Sequence, residues 1–325
     1  MARIFITGGC GFIGSHLASF HLLKGDEVLV VDDLSSGSLN NLASFQDNYR
    51  LHIENENILT WSGLKNAVKW ANRIYHMAAI VGIFKVIAEP VEVVKTNIGG
   101  CERLLHAVIE SGARPRIVLA SSSSVYGASK ASVLNEDDDL IIKIQGYSLS
   151  TYAISKLSQE AIAFAYYRAH QLPITLVRLF NVIGQRQTGR YGMVVPRFIQ
   201  QACKNEPLTI FGDGSQTRSF CDVRDAIVAM DLLTDHVQTI GEIINVGNDH
   251  EISINELATL VKSQTNSQSL FEYIPYEKAY GPGFKDTAQR RPDIGKLFRL
   301  TGFKPQWHLE NTITELAANY RQYAN

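Results

Sequence analysis

Thr7-Gly8-Gly9-Cys10-Gly11-Phe12-Ile13-Gly14 follows the apolar run Arg3-Ile4-Phe5-Ile6 without a break. This pattern predicts a buried strand that ends in a glycine-rich turn, which in turn opens a helix. Gly8 permits the tight turn, Gly11 lets backbone approach a pyrophosphate, and Gly14 lets the helix lie close to the strand. Because a helix N-terminus binds anions, the stretch predicts a dinucleotide site.

The next predicted strand, Glu27 to Val31, ends at Asp32. An acidic side chain at this distance from a glycine turn accepts hydrogen bonds from the adenine ribose hydroxyls. The same carboxylate would repel the 2′-phosphate of NADP, so the sequence predicts NAD as the cofactor.

The chain has 325 residues, 45% of them hydrophobic, and a formal net charge of −1, which is the composition of an ordinary globular protein. Such a charge excludes broad attraction to nucleic acid or an anionic membrane surface. The four cysteines lie far apart, which argues against a disulfide framework and against a metal site. The first strand begins within three residues of Met1 and no apolar run has membrane-spanning length, so we expect a cytoplasmic protein.

Short β-branched runs alternate with amphipathic segments through the first half of the chain. This rhythm predicts an α/β fold with a Rossmann-type, doubly wound parallel sheet. After Phe180 the pattern changes, which predicts a smaller C-terminal substrate-binding lobe. We therefore expect a dinucleotide-binding domain over residues 1–179 and the lobe over 180–325, interleaved because the apolar strand near 242–246 can return to the main sheet. The predicted strands are Arg3–Thr7, Glu27–Val31, Arg50–Glu54, Arg73–His76, Arg116–Ala120, Ile174–Arg178 and Glu242–Val246.

Tyr152 and Lys156 stand four residues apart in a predicted helix and therefore share one of its faces. A phenol has a pKa near 10, but a close ammonium and a positive nicotinamide ring both favour the phenolate. The pair therefore predicts a tyrosine base assisted by a lysine. The run Ser121-Ser122-Ser123-Ser124 follows a predicted strand of the sheet, at the edge where open α/β sheets bind ligands.

A glycine turn, a serine run after a later strand and a downstream Tyr-x-x-x-Lys, in this order, resemble the extended short-chain dehydrogenase/reductase superfamily. Within it, the chain is most similar to the NAD-dependent nucleotide-sugar epimerases and dehydratases. The resemblance continues through Leu34-Ser35-Ser36-Gly37, His76-Met77-Ala78-Ala79, Arg178-Leu179-Phe180-Asn181-Val182 and Gly214-Ser215-Gln216-Thr217-Arg218.

The resemblance implies roles for three catalytic residues: Tyr152 as the base, Lys156 as its partner, and Ser122 as the hydroxyl that bridges substrate and Tyr152. Dehydratases of this superfamily carry an Asp-Glu pair where this chain has Ser123 and Ser124, and UDP-glucuronate decarboxylases keep the Glu. Serine is neither acidic nor basic enough for those proton transfers. Oxidation and re-reduction remain, which predicts an epimerase. The resemblance to the 4-epimerases implies C4 as the reacting carbon and a UDP-hexose or UDP-N-acetylhexosamine as the substrate.

The resemblance also implies the residues that contact cofactor and substrate. Relatives place the diphosphate against Asn181 and Arg218 and the base along Leu208 to Phe211. The expected cofactor contacts are Gly8, Gly11, Phe12, Ile13, Gly14, Asp32, Asp33, Leu34, Ser35, Gly37, Asn57, Ile58, Ala78, Ala79, Asn97, Tyr152 and Lys156. The expected substrate contacts are Ser122, Ser123, Ser124, Asn181, Val194, Arg197, Thr209, Phe211, Arg218, Arg290 and Arg291.

Three other functions stay open at this point: a UDP-glucuronate 4-epimerase, a UDP-glucuronate decarboxylase and a non-catalytic NAD-sensing scaffold. The serine run suits a uronate carboxylate, whereas Asn181 and Thr188 replace the Thr and Arg typical of UDP-glucuronate epimerases. Helices over Asn97 to Glu110 and Tyr152 to His170 correspond to the dimer helices of relatives and are rich in apolar residues. We therefore expect a homodimer.

Overall fold

The computed structural model describes residues 1–144, 148–189, 192–281 and 286–323. Seven parallel strands form the central sheet in the order β11-β6-β5-β4-β1-β2-β3. They are β1 Arg3–Thr7, β2 Glu27–Val31, β3 Leu51–Glu54, β4 Arg73–His76, β5 Arg116–Ser122, β6 Ile174–Leu179 and β11 Ile243–Val246. The chain therefore has the Rossmann-type α/β fold that its sequence predicts.

Helices cover both faces of this sheet. They are α1 Phe12–Leu23, α2 Leu64–Trp70, α3 Ile83–Ala88, α4 Pro90–Ser111, α5 Ser148–His170, α7 Val223–Asp235 and α10 Gly295–Thr301. One buried cluster joins α1 and α7 to one sheet face, and a second joins α2, α4 and α5 to the other. In the described part of the chain, no helix is both long and apolar enough to cross a bilayer.

A second lobe packs around its own apolar core, which includes Phe198, Ile210, Leu257 and Ile313. Its helices are α6 Val194–Cys203, α8 Ile254–Gln264, α9 Tyr276–Tyr280 and α11 Leu309–Tyr323. Its short strands are β7 Val182–Ile183, β8 Leu208–Phe211, β9 Thr217–Ser219, β10 Cys221–Asp222, β12 Glu251–Ser253 and β13 Phe271–Ile274, paired as β7-β10, β9-β12 and β8-β13.

The glycine turn places the start of α1 at the carboxyl edge of the sheet. Gly8 has a φ of +68°, a region that glycine adopts without strain, and its N–H donates to the Val31 carbonyl over 2.8 Å. A Cβ on Gly14 would lie 2.2 Å from the carbonyl oxygen of Gly8. Any side chain at position 14 would therefore push α1 away from β1.

Two expectations about the elements need correction. Strand β5 does not end at Ala120 but continues through Ser122, because Ser121 and Ser122 pair with Arg178 and Leu179 of β6. The region after Phe180 is richer in strands than its loop-like sequence suggests. Strands of two to four residues are too short for alternation to reveal them, and tertiary packing decides their pairing.

A buried ion pair joins α5 to β6 directly behind the serine run. Arg178 donates through Nη2 to Glu160 Oε2 over 2.9 Å and through Nε to Oε1 over 3.0 Å, and both side chains are 3% exposed. The Ser121 hydroxyl donates to the same Glu160 Oε1 over 2.5 Å. The charge of Glu160 raises the pKa of Arg178, so the pair stays ionised.

We expect Arg178→Met to lower the free energy of unfolding by about 3–5 kcal/mol, because it leaves Glu160 buried without its partner. Urea denaturation followed by circular dichroism measures this change. Lys65→Met is the matched control: Lys65 and Glu110 form an exposed pair at 3.9 Å, so the loss there should stay below about 1 kcal/mol. Equal losses in the two variants would contradict this account of the pair.

Candidate active site

A cleft of about 810 Å³ opens at the carboxyl ends of the sheet strands, between the sheet and the second lobe. This is the edge where open α/β sheets bind ligands. The size lies in the range of cofactor and substrate pockets. Each of six strands contributes at its end: Gly8, Asp32, Glu56, Met77, Ser122 and Leu179 all line the cleft.

Most of the predicted contact residues line this cleft. On the cofactor side these are Gly8, Gly11, Phe12, Ile13, Gly14, Asp32, Asp33, Ser35, Ile58, Ala78, Ala79, Tyr152 and Lys156. On the substrate side they are Ser122, Ser123, Ser124, Asn181, Val194, Arg197, Phe211, Arg218 and Arg290. Six predicted residues are absent from the lining: Leu34, Gly37, Asn57, Asn97, Thr209 and Arg291.

Asp32 closes one end of the cleft. Its carboxylate accepts from the Cys10 N–H over 2.9 Å and from the Leu34 N–H over 2.8 Å. A Cβ on Gly37 would lie 3.0 Å from both carboxylate oxygens. Leu34 therefore holds the Asp32 carboxylate through its N–H, and Gly37 leaves room for that carboxylate, while neither residue lines the cleft. A carboxylate offers about four lone-pair sites, so Asp32 can still accept from ribose hydroxyls.

Asn57 and Asn97 were predicted to contact the cofactor, but neither lines the cleft. The Asn57 amide oxygen accepts from the Leu59 N–H over 2.9 Å, and its Nδ2 donates to Asp33 over 2.9 Å. Asn97 is buried; its Oδ1 accepts from the Ile80 N–H over 2.8 Å. Its Nδ2 donates to the Ser155 hydroxyl over 3.0 Å, so Asn57 bonds to neighbouring loops and Asn97 joins the Ile80 loop to α5.

The serine run forms the floor of the cleft. Ser122 caps a short 3-10 helix over Ser123–Tyr126, since its Oγ accepts from the Ser124 N–H over 3.2 Å. The Ser124 hydroxyl donates to the same oxygen over 3.0 Å. Two donors therefore hold the Ser122 oxygen at the carboxyl end of β5.

Tyr152 and Lys156 face this floor from α5. Lys156 is buried, and its Nζ donates to the Ala120 carbonyl over 2.8 Å. Burial lowers the pKa of Lys156 to about 8, although the charge of Glu160 opposes this shift. This hydrogen bond anchors the ammonium near the carboxyl end of β5.

The expected fall in the phenol pKa depends on a bound nicotinamide ring as well as on the Lys156 ammonium, and the protein groups alone shift the pKa of Tyr152 in the opposite direction. Burial raises the pKa of Tyr152 to about 12. A hydrogen bond with Ser122 and the charge of Arg290 oppose that rise, whereas the Lys156 ammonium is engaged with Ala120. Arg290 is therefore a cation beside the phenol that the Tyr-x-x-x-Lys spacing does not reveal.

Two arginines stand together on the opposite wall. Arg218 pairs with Asp286 over 2.6 Å and donates to the Thr287 carbonyl over 2.9 Å. Arg290 donates to the Thr287 hydroxyl over 3.3 Å. Burial and the neighbouring charge of Arg218 lower the pKa of Arg290 to about 10. Adjacent guanidinium groups of this kind suit a diphosphate.

An aromatic group continues this wall. The Arg197 guanidinium carbon lies 3.9 Å from the ring centroid of Phe211, and the Tyr280 ring meets Phe211 edge-on at 5.1 Å. Tyr276 stacks on Tyr280 at 6.3 Å. Sequence reasoning missed both tyrosines because α9 is short and lies far along the chain from the motifs.

Thr209 and Arg291 serve the structure from outside the cleft. The Thr209 carbonyl accepts from Arg197 Nη2 over 3.0 Å, and its N–H donates to Gln201 over 3.2 Å. The Arg291 carbonyl accepts from the Leu134 N–H over 2.8 Å. Thr209 lies two residues before Phe211 and shares its face of β8, but its hydroxyl accepts from Gln201 Nε2 over 3.0 Å.

Fold and cleft together define a Rossmann-type enzyme built for a dinucleotide and an anionic second ligand. Residues 4–247 match the family described as the NAD dependent epimerase/dehydratase family. A relative from Bacillus cytotoxicus, UDP-N-acetyl-alpha-D-glucosaminuronate decarboxylase, is 34% identical over 99% of both chains. The chain therefore belongs to the NAD dependent epimerase/dehydratase family.

Solved structures of similar enzymes share the fold across nearly the whole chain. The UDP-glucose 4-epimerase of Thermotoga maritima, solved with UDP-glucose, has a TM-score of 0.87 and 28% identity over 99% of this chain and all of its own. The UDP-glucuronic acid 4-epimerase of Bacillus cereus, solved with UDP-glucuronic acid and NAD, has a TM-score of 0.88 and 29% identity over 98% and 99%.

The cleft fits NAD, the cofactor of this family. The glycine turn leaves no room for a side chain at Gly14 and brings the first turn of α1 to the cleft. At the cofactor end the lining carboxylates are Asp32, Asp33 and Glu56, which would repel a 2′-phosphate. Lys156 lines the floor of the same cleft.

We expect Lys156→Met to raise the free energy of unfolding at pH 7 by about 1–2 kcal/mol while abolishing activity. The folded chain holds this ammonium at a pKa of about 8, against 10.5 for a free lysine, so it binds fewer protons than the unfolded chain between those values. Wild-type stability must then rise with pH through that window.

Urea titrations at pH 7 and pH 9.5 test this. The increase in the free energy of unfolding that Lys156→Met produces should be smaller at pH 9.5 than at pH 7. Lys95→Met serves as the control, because it removes the positive charge of a lysine that is exposed rather than buried. If the free energies of unfolding of Lys156→Met and wild type differed by the same amount at both pH values, burial of the ammonium would not carry the proposed cost.

Proposed function

We propose that this chain is a UDP-sugar 4-epimerase that acts on a UDP-hexose or a UDP-N-acetylhexosamine. The observation that carries the proposal is the floor of the cleft, where Tyr152, Ser122 and Lys156 meet beside the hydroxyls of Ser123 and Ser124, with no carboxylate of the described residues lining that floor. Among the described residues that line the cleft, the carboxylates are Asp32, Asp33, Glu56 and Asp286. The first three lie at the cofactor end, and the last pairs with Arg218.

Tyr152 takes the proton of the sugar C4 hydroxyl, and the Ser122 hydroxyl hydrogen-bonds the same sugar oxygen. Arg290 supports the phenolate because its charge lowers the pKa of Tyr152. Lys156, held by Ala120, orients the cofactor ribose. NAD, which the glycine turn and Asp32 would hold, would supply a reversible hydride acceptor for C4, and inversion would require the ketosugar to turn its opposite face to the cofactor before reduction. Tyr152 then gives its proton back to the sugar oxygen.

The hydroxyls at positions 122 to 124 limit what else this site can do. Elimination of water needs an acid and a base beside the sugar, and serine at 123 and 124 provides neither. The Ser124 hydroxyl is committed to Ser122 over 3.0 Å. A reaction that only moves hydrogen on and off C4 fits these residues.

Decarboxylation of a UDP-uronate is the second candidate, because the Bacillus cytotoxicus relative at 34% identity carries that name. Oxidation at C4 places a ketone β to the C6 carboxylate, and such acids lose CO₂ without a carboxylate base. Lys143 lines the cleft, and its ammonium would donate a hydrogen bond to the substrate carboxylate. Both candidates share the first oxidation by Tyr152.

Two copies of the chain are proposed to pack through α4 and α5. On α4, Val91 is 74% exposed and Val94 is 40% exposed, and Ala161 and Ala165 of α5 are also exposed. An apolar surface spread over two adjacent helices is typical of an interface between subunits.

We expect the purified protein to convert UDP-glucose or UDP-N-acetylglucosamine to the C4 epimer, and Tyr152→Phe to lower kcat at least about 100-fold by removing the proton acceptor. NMR of products from a panel of UDP-hexoses and UDP-uronates measures inversion at C4. Mass spectrometry detects CO₂ loss, which would favour the decarboxylase instead. Tyr167→Phe, on the same helix away from the floor, is the control and should keep full activity.

Light scattering at micromolar concentration should report a dimer, and Ala161→Arg should convert it to a monomer by placing a charge in the apolar interface. Leu23→Arg changes an exposed apolar residue on α1 and should leave the dimer intact. A wild-type monomer under these conditions would rule out the proposed α4–α5 interface.

A further inference from the structure

Two buried polar atoms lie between the central sheet and the helices α4 and α5 without a partner among the described residues. His76, the last residue of β4, is 1% exposed, and the unpaired atom is its Nε2. Gln159 of α5 is fully buried, and the unpaired atom is its Oε1. A buried polar atom without a hydrogen bond lowers stability, so the pair indicates a site for a small polar molecule.

The hydrogen bonds of the His76 ring determine what its Nε2 offers. The Thr7 hydroxyl oxygen accepts from the Ala78 N–H over 3.2 Å and lies 2.7 Å from His76 Nδ1. The buried Thr7 hydroxyl has no other acceptor among the described residues, so it donates its hydrogen to Nδ1. Burial lowers the pKa of His76 to about 3, which keeps the ring neutral. The single ring proton is therefore on Nε2, which is a donor.

Gln159 presents its acceptor to the same part of the interior. Its Nε2 donates to the Asn97 carbonyl on α4 over 2.7 Å, which fixes the orientation of the amide. A Cβ on Gly100, which lies one turn after Asn97 on α4, would be 4.0 Å from His76 Cε1. Because Cε1 is bonded to Nε2, the donor of His76 and the acceptor of Gln159 lie against the same turn of α4.

Lys156 borders the same site. It stands three residues before Gln159 on α5, so both side chains lie on one face of the helix. Its Nζ donates to the Ala120 carbonyl, and Leu119, the residue before Ala120, pairs with His76 across β4 and β5. The charge of Lys156 adds to the effect of burial in lowering the pKa of His76. An ammonium has three N–H donors and Ala120 takes one of them, so another can reach a molecule in the site.

We propose that His76 and Gln159 hold one water molecule against the Lys156 ammonium, so that both act as positioning residues for this lysine. The water accepts from His76 Nε2 and from Lys156 Nζ, and it donates to Gln159 Oε1. Three hydrogen bonds are typical of a buried water. The inference rests on the proposed function only where it treats Lys156 as a catalytic residue.

Such a water affects the charge of Lys156 as well as its position. Burial lowers the pKa of Lys156 to about 8, and Cys101 of α4 and Glu160 of α5 oppose that shift. His76 and Tyr152 face the lysine as neutral groups, since burial lowers the pKa of His76 to about 3 and raises that of Tyr152 to about 12. A water oxygen that accepts from the ammonium favours its charged form. Loss of the water should therefore lower the pKa of Lys156 further.

NMR of the NAD-loaded protein with carbon-13 at the lysine Cε atoms follows the titration of Lys156, whose signal disappears in Lys156→Met. A Tyr152→Phe background removes the neighbouring phenol from the titration. We expect Gln159→Met to lower the midpoint by at least about half a pH unit, because the water loses its acceptor. His76→Phe should lower it similarly, since the longer ring has no donor and reaches into the position of the water. The double variant should match the single variants, because one water can be lost only once.

His21→Phe is the matched control, because His21 is also a fully buried histidine. Both of its ring nitrogens have partners, Asp26 and Tyr75, on the opposite face of the sheet. The variant should lower the melting temperature and leave the Lys156 midpoint unchanged.

A crystal structure of the wild-type, NAD-loaded protein tests the site even where a variant does not fold. One ordered water should lie within about 3.2 Å of His76 Nε2, Gln159 Oε1 and Lys156 Nζ. The proposal falls if no water lies there, or if the Gln159 and His76 variants lower the melting temperature without moving the Lys156 midpoint.

The two proposals fail differently. If the variants left the Lys156 midpoint unmoved while the wild-type protein inverted UDP-sugars at C4, the water site would be rejected and the epimerase would stay intact. A lowered midpoint in the variants, with no conversion of any UDP-sugar by the wild-type protein, would support the water site and reject the proposed reaction.

Discussion

Two buried side-chain bonds tie helix α5 to the end of strand β5, and the geometry of the catalytic floor depends on them. Lys156 donates to the Ala120 carbonyl over 2.8 Å, and one turn later Glu160 accepts from the Ser121 hydroxyl over 2.5 Å. Arg178 compensates the charge of Glu160 from β6. These bonds, together with the hydrogen bonds of Ser155 and Gln159 to Asn97 of α4, fix the height and rotation of α5 relative to Ser122 and so the position of Tyr152.

The same bonds explain why the lysine is both costly and useful. Burial lowers its pKa to about 8, yet the carbonyl of Ala120 and the charge of Glu160 keep the ammonium in place. A buried charge that lowers stability is common at sites where function requires it.

Charge is divided along the cleft. The cofactor end has Asp32, Asp33 and Glu56, whereas the opposite wall has Arg197, Arg218 and Arg290. The carboxylates suit the hydroxyl groups of a ribose, whereas the arginines suit phosphate groups.

Much of the fold could be predicted because its signals are local. The glycine turn, Asp32 and the short apolar strands each follow from a few neighbouring residues, and the strand bounds differ by only one or two positions from those expected. The small sheets of the second lobe could not be predicted, since their strands have two to four residues and no periodic pattern. Asn57 and Asn97 show the limit for side chains: both belong to family motifs, yet their amides are spent on Leu59 and Ile80.

The sequence by itself determined the family and its NAD cofactor, because Gly8, Gly14 and Asp32 act through spacing along one turn and the strand that follows α1. Only the tertiary structure decided how the charges act on one another. Arg290 reaches Tyr152 from a segment more than a hundred residues away, and Tyr280 and Gln216 meet around Phe211 in the same manner. Electrostatic shifts and ligand-shaped pockets depend on distances through space and on burial, and neither quantity is encoded in the separation of residues along the chain.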